Sequence, residues 1–473
     1  MSVGIFLSEL SEDTLNNIKS LLTIKPNESF FQKKYKKYKK YSKNNEESEK
    51  GVVEFWITDS DVIYIPYYFY AITFKVRPNI SKITYGFYPQ ANFNFTKSLY
   101  DSQIIICRDM LEHLTLYGTA NLNIFTSGGK TVMCAYTSSV MKLKTLVLIS
   151  NTVLSVQWIN TYKEFTNAKI YSVEGIGDPP IDTDIVICMY TRIHYLSKKF
   201  LFGVGMLIID EAHTFCSISR VQALLSTQPK YIVAATATLE READGMHSMI
   251  LSMCGLHRIF KKSEKPFNVV LYNTGCDVDI PYTRFGDPDW TNLVNRLCKD
   301  EERNQLIVDI IKGNLQHKIL VLTLRQEHVS VLHDKLVSLS ISCDYMTGRK
   351  KKYNDSKVLI GTVKKIGTGF DEKMSCEDFS GINIDLLIIA ISIKSTGLLQ
   401  QVSGRVFRAQ FPNIIGLYDD NPISEKHMAK NEKWFKSVNG NVVYLESPKC
   451  SKLTKVDPRE THLAKVRALE GIK

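Results

Sequence analysis

Two adjacent carboxylates, Asp210 and Glu211, follow an unbroken apolar run at 206–209, and a small-residue loop, Thr126-Ser127-Gly128-Gly129, leads into Lys130 and Thr131. Paired acids at the end of a hydrophobic strand are costly as pure structure, because charge leaves water without compensation. One such acid can hold Mg²⁺ while its neighbour orients and deprotonates a water. The loop supplies a complementary half. Backbone N–H groups in a glycine turn ahead of a helix cradle phosphate oxygens, the Lys130 ammonium adds a point charge, and the Thr131 hydroxyl suits Mg²⁺. The general pattern G-x-x-x-x-G-K-[ST] wants glycine where Ile124 stands, and Ser127 fills a place often held by glycine, so Gly128 must supply the bend. The two motifs together predict a site for nucleotide phosphates and Mg²⁺.

Other polar residues fall where such a site would use them. Gln103, ahead of the loop, can pair bidentately with an adenine edge. Thr236-Ala237-Thr238 follow the run at 231–235, and the hydroxyls of Thr236 and Thr238 can bond an acid or His213 and so report nucleotide state. Further on, 358–362 leads to Gly367-Thr368-Gly369-Phe370-Asp371, a flexible loop that ends in an acid. Arg405 and Arg408 lie three apart, which predicts a shared helix face. Guanidinium groups brought across a cleft can neutralise charge growing on a γ-phosphate.

The elements that must position these groups are legible as apolar runs. Residues 146–149, 185–188, 206–209 and 231–235, with helical text between them, predict a parallel sheet covered on both faces. After a loop-rich stretch at 261–290, a second series at 319–323, 358–362, 386–391 and 414–418 predicts another. Ligands of such sheets sit beyond the carboxyl ends of the strands, where the polar groups fall. The fold class is therefore α/β, with two tandem parallel-sheet domains. The expected boundaries are an accessory domain at 1–85, a first α/β domain at 86–262, a linker at 263–300, a second α/β domain at 301–420 and a basic extension at 421–473.

Composition narrows the partners. The 473 residues are 44% apolar and 23% charged, an ordinary globular balance, with a net charge of +11. That excess fits a polyanionic partner, or a lysine-rich surface from an A/T-rich genome. The basic run at 33–41, with a tyrosine at every third residue, offers phosphate contacts with rings for stacking, or a solvated loop. Ten cysteines without a C-x-x-C pair argue against zinc and disulfides and for a reducing, intracellular compartment. The N-terminus does not read as a secretory signal, and the stretch at 62–74, interrupted by Pro66, is too short to span a bilayer.

The ordered set TSGGKT, DEAH, TAT, GTGFD and QVSGRVFR, spanning residues 99–418, resembles the motor of the superfamily 2 DEAH-box helicases. Within that family the text is similar to a viral and phage branch that includes the poxvirus transcript-release DNA helicase, its asfarvirus relative and the T-even phage recombination helicase. Residues 302–307 and 325–328 resemble the poxvirus member, Thr126-Ser127 the phage member, and Asp244-Gly245-Met246 the asfarvirus member. The resemblance implies that both sheets are RecA-like. It implies nucleotide binding by Gln103, Thr126, Ser127, Gly128, Gly129, Lys130, Thr131, Gly369 and Asp371, with Thr131 and Asp210 on Mg²⁺. Glu211 becomes the base, Arg405 and Arg408 the arginine fingers, Gln401 a γ-phosphate sensor, and His213, Thr236 and Thr238 the coupling residues. Asn151, Thr152 and Thr362 fall at nucleic-acid motifs, as do Ser150 and the Gln157-Trp158 pair, although Ser150 and Leu239 stand where relatives carry proline.

The expected activity is that of an ATP-dependent 3′ to 5′ DNA helicase, with RNA as the other polymer, in viral transcript release, replication or recombination. RNA polymerase or other transcription machinery is the implied partner. A viral origin implies the host cytoplasm or virus factory, or packaging in the virion. Two rivals stand beside it: a translocase or termination factor that unwinds nothing, and a nucleic-acid-binding scaffold with an ATPase weakened by Ser127.

Overall fold

The structure is a computed structural model and describes residues 2–24, 53–76, 88–125, 128–217, 220–236, 248–261, 266–348, 350, 352–367 and 370–447. The basic run at 33–41, Thr126, Ser127, Thr238, Leu239, the residues at 244–246, Gly369 and everything after 447 lie outside them. The chain divides into two compact units, Met1–Lys261 and Lys262–Lys473.

The first unit begins with β1 (Ser2–Phe6), β2 (Thr23–Ile24), β3 (Val53–Glu54), β4 (Ile57–Asp59) and β5 (Val62–Pro66). Strands β1, β5 and β4 form an antiparallel sheet, in that order. It does not close a core of its own. Val3, Ile5, Ile63 and Ile65 join the cluster that holds Leu146, Leu207 and Ile232, and the Ser2 amide and hydroxyl donate to the carbonyls of Thr227 and Leu225. The described part of the segment read as an accessory domain, 1–85, thus shares its core with the α/β domain.

That domain is a seven-stranded sheet of β6 (Thr119–Ile124), β7 (Thr145–Ile149), β8 (Ile170–Ser172), β9 (Ile185–Met189), β10 (Met206–Asp210), β11 (Tyr231–Thr236) and β12 (Arg258–Lys261). The order is β12-β6-β11-β10-β7-β9-β8, and every pair is parallel. Alternation explains why these runs look continuously apolar. In β7 and β10, Leu146, Leu148, Leu207 and Ile209 pack on one face, while Val147, Ile149, Met206 and Ile208 pack on the other. The order places β11 between β6 and β10, so the phosphate-type loop and the two acids flank one strand end.

The second unit holds another all-parallel sheet of seven strands: β13 (Phe267–Asn273), β14 (Ile319–Thr323), β15 (Cys343–Met346), β16 (Val358–Thr362), β17 (Leu386–Ile389), β18 (Asn413–Tyr418) and β19 (Gly440–Glu446). Its order is β15-β16-β14-β17-β18-β13-β19. The stretch expected to be a linker supplies β13, and its helix Trp290–Lys299 buries Leu293, Val294 and Leu297. The first part of the expected basic extension supplies the helix Pro422–Ser437 and β19. Both were hidden because polar loop text surrounds them and β13 makes sense only between β18 and β19.

Candidate active site

Strand β6 runs into the bend and the helix Lys130–Met141 leaves it, with Gly129 as N-cap at φ 81°. A side chain there would be strained by the left-handed backbone, and its Cβ would lie 2.4 Å from Gln103 Nε2. At Gly128 a Cβ would meet Ile124 Cγ2 at 2.5 Å. The left-handed backbone therefore favours glycine at 129, and at 128 a larger residue would have to displace Ile124. Gln103, the third residue of the helix Asp101–Tyr117, sits against the loop at Gly129, while its Oε1 accepts from the Tyr100 amide at 3.1 Å. Lys130 Nζ donates to the Ile124 carbonyl at 3.1 Å, and Thr131 follows on the first turn.

Asp210, the last residue of β10, is 5% exposed. Trp158 Nε1 donates to its Oδ2 at 2.7 Å and the Glu211 amide to its Oδ1 at 3.0 Å. Burial first, and then the neighbouring Glu211 charge, push its carboxyl up to about 6, against the pull of Trp158 and Lys130. Glu211 adopts a left-handed backbone, φ 52° and ψ 51°, which a non-glycine residue holds at a cost of about 1 kcal/mol or more. That turn brings its Oε2 to 3.4 Å from His213 Nδ1, buried and with no hydrogen-bond partner among the described residues. His213 Nδ1 lies 2.8 Å from Thr236 Oγ1 at the end of β11. Strain and an unsatisfied buried oxygen coincide on one carboxylate, as suits a group kept ready for a water. The donors fit a hard divalent ion: Asp210 is a buried acid whose charge Lys130 only partly offsets, and Thr131 offers a hydroxyl.

Trp158 corrects an expectation. It is 0% exposed and spent on Asp210, so it is not a surface contact for nucleic acid. Its burial is legible in the spacing of Leu154, Trp158 and Tyr162, one apolar stripe on the helix Thr152–Phe165, but its partner 52 residues away is not. Asn151 caps that helix and accepts from the Leu154 amide at 3.0 Å, whereas Thr152 is exposed. Thr362, at the end of β16, is only 7% exposed.

In the second unit the helix Thr396–Ser403 carries Gln401 and ends before the arginines, which stand on successive turns and not on one helix face. Both nevertheless serve one loop. Arg405 donates to the carbonyls of Gly367 and Phe370 at 2.6 and 2.7 Å, and Arg408 pairs with Asp371 at 2.6 Å. Asp371 also caps the helix Glu372–Ser375. Burial opposes ionisation of Asp371, but the Arg408 hydrogen bond and charge hold its carboxyl below the ordinary range. A separate buried network went unread: Arg303 pairs with Asp419, and Asn304 lies 2.8 Å from His328. It gathers residues from 302–307 and 325–328, the stretches that carried the poxvirus resemblance.

The family described as type III restriction enzyme, res subunit, matches residues 96–241. The chain is 28% identical over 386 residues to the putative helicase 161L of Invertebrate iridescent virus 6, covering 75% of this chain and 84% of that one. It is 23% identical over 321 residues to the transcript termination protein A18 of Myxoma virus (strain Lausanne), covering 63% and 66%. The solved structure of a leucine-to-valine variant of S. cerevisiae Dbp5 bound to RNA and ADP BeF3 shares the fold, with a TM-score of 0.50 at 13% identity over 72% of this chain and 89% of that one.

Proposed function

We propose that this chain is a superfamily 2 helicase, an ATP-hydrolysing motor on nucleic acid, with DNA as its polymer and 3′ to 5′ as its direction. The observation that carries the reading is the pair of acids: Asp210 is held from both oxygens, and beside it Glu211 has a strained backbone and a buried, unsatisfied Oε2. In this reading Glu211 orients the attacking water and takes its proton at Oε2. The amides of 128–131 and Lys130 receive phosphate oxygens, and Gln103 receives the base. Thr131 and Asp210 hold Mg²⁺, which when bound supplies positive charge to the phosphates. Gln401, Arg405 and Arg408 act on the γ-phosphate, which requires the arginines to exchange the partners on their own loop for phosphate oxygens. Gly369 and Asp371 complete the nucleotide contacts, and His213, Thr236 and Thr238 couple the acids to β11. Asn151, Thr152 and Thr362 are the proposed polymer contacts.

Steady-state ATP hydrolysis without polymer, and with single-stranded, duplex or forked DNA or RNA, tests the reading, with Glu211→Gln as control. Stimulation by DNA that disappears in the variant is the expected result. Stimulation by RNA alone would overturn the polymer, and hydrolysis under no condition would overturn the motor. The likeness to a transcript termination protein favours a second reading, a translocase that displaces polymerase or transcript without separating a duplex. Triplex displacement without strand displacement would select it.

A further inference from the structure

We propose that Trp158 is a positioning residue for Asp210 and the link through which polymer held at the start of the helix Thr152–Phe165 is read at the nucleotide site; this rests on the motor reading above. The helix follows β7, the sheet neighbour of β10, and its first turn offers exposed Thr152 and Val153 beyond the Asn151 cap. Its buried face makes two polar contacts inside an otherwise apolar cluster. Trp158 Nε1 donates to Asp210 Oδ2 at 2.7 Å, and the Tyr162 hydroxyl lies 3.0 Å from Ser138 Oγ on the helix that starts at Lys130. One rigid element is therefore pinned both to the acid that ends β10 and to the helix behind the glycine bend.

Geometry makes that attachment sensitive. A hydrogen bond of this length in a dry core tolerates little displacement, and the helix rises about 1.5 Å per residue, so a slide of one residue breaks it. Each Asp210 oxygen already accepts one donor, so the indole decides which way the remaining acceptor sites face. A polymer that settles the first turn of this helix thereby settles the acid. By linkage, nucleotide then settles the polymer by the same factor.

The test compares the wild-type chain, Trp158→Phe, and the chain with benzothienylalanine at 158, which keeps the indole shape and lacks the N–H. Calorimetry follows binding of AMP-PNP as Mg²⁺ is varied, with and without oligo(dT), and anisotropy follows oligo(dT) binding alone. In the wild type, oligo(dT) should tighten nucleotide binding about fivefold or more. In both variants the Mg²⁺ needed for half-saturation should rise about tenfold, and the enhancement by oligo(dT) should fall toward none while oligo(dT) binding alone persists. Folded variants with the wild-type Mg²⁺ requirement and enhancement would overturn the link. A wild type that binds both ligands without mutual enhancement would overturn it and leave the motor standing; a wild type that binds neither would overturn both.

Discussion

Burial gives Asp210 its character. Its carboxyl is raised from an ordinary value of 3.8 to about 6, so the folded chain holds that proton more tightly than the unfolded chain does. The stability this group contributes is fully present below about pH 4 and is lost as pH climbs through about 6. Asp210→Asn removes the ionisable group, so the metal-free variant should be about 3 kcal/mol more stable than wild type near neutral pH, with the advantage gone at pH 4. Urea denaturation without Mg²⁺ at both pH values checks this, and a constant difference would contradict it. Glu211 offers a separate test, because its left-handed backbone is strained only for a residue with a side chain. Glu211→Gly should abolish hydrolysis and still raise stability by about 1 kcal/mol in thermal unfolding. Both acids were legible from residue type and place; the indole that holds one of them was not, since no local spacing joins residues 158 and 210.

At the scale of elements, the loop between β6 and its helix is the most demanding piece. Gly129→Ala places a Cβ against Gln103 and strains the N-cap, so binding of a fluorescent ATP analogue should fall at least about tenfold with little change in secondary structure by circular dichroism. Binding at wild-type strength would mean that the loop has another shape when loaded. The apolar runs were readable because strands buried on both faces need apolar side chains at every position. Strand β13 escaped notice although its run Val269-Val270-Leu271 is apolar, because one short run amid polar text has no partner until a sheet is drawn. The arginine pair shows the reverse: the expected helix stops at Ser403, and the two groups still converge because Gly404–Arg408 turns them both toward 367–371.

The whole chain contains two units with separate cores, so calorimetry should resolve two unfolding transitions. Arg303 and Asp419, both 0% exposed, make the sharpest probe of the second. Arg303→Ala leaves a buried carboxylate unpaired and should lower one transition by about 3–5 kcal/mol while the other stays put. Arg303→Met combined with Asp419→Leu should recover much of that loss, because replacing both charges removes the desolvation cost. A shift of both transitions by the single variant would contradict the separation of the cores. The net charge of +11 belongs to this scale as well: if the polymer is held through phosphates, its affinity should fall steeply between low and moderate salt.

Sequence alone determined the fold class, the place of the glycine bend and the place of the paired acids, since each rests on local chemistry: apolar runs at strand length, glycine beside lysine, two acids behind a buried strand. Tertiary structure decided what depends on residues far apart in the chain. It seated Trp158 on Asp210, joined Arg303 to Asp419, packed β1 and β5 onto the first sheet's core and threaded β13 and β19 into the second. The reason is physical: period and residue type announce that a side chain must be buried or satisfied, while the partner that buries or satisfies it is chosen by the sheet order.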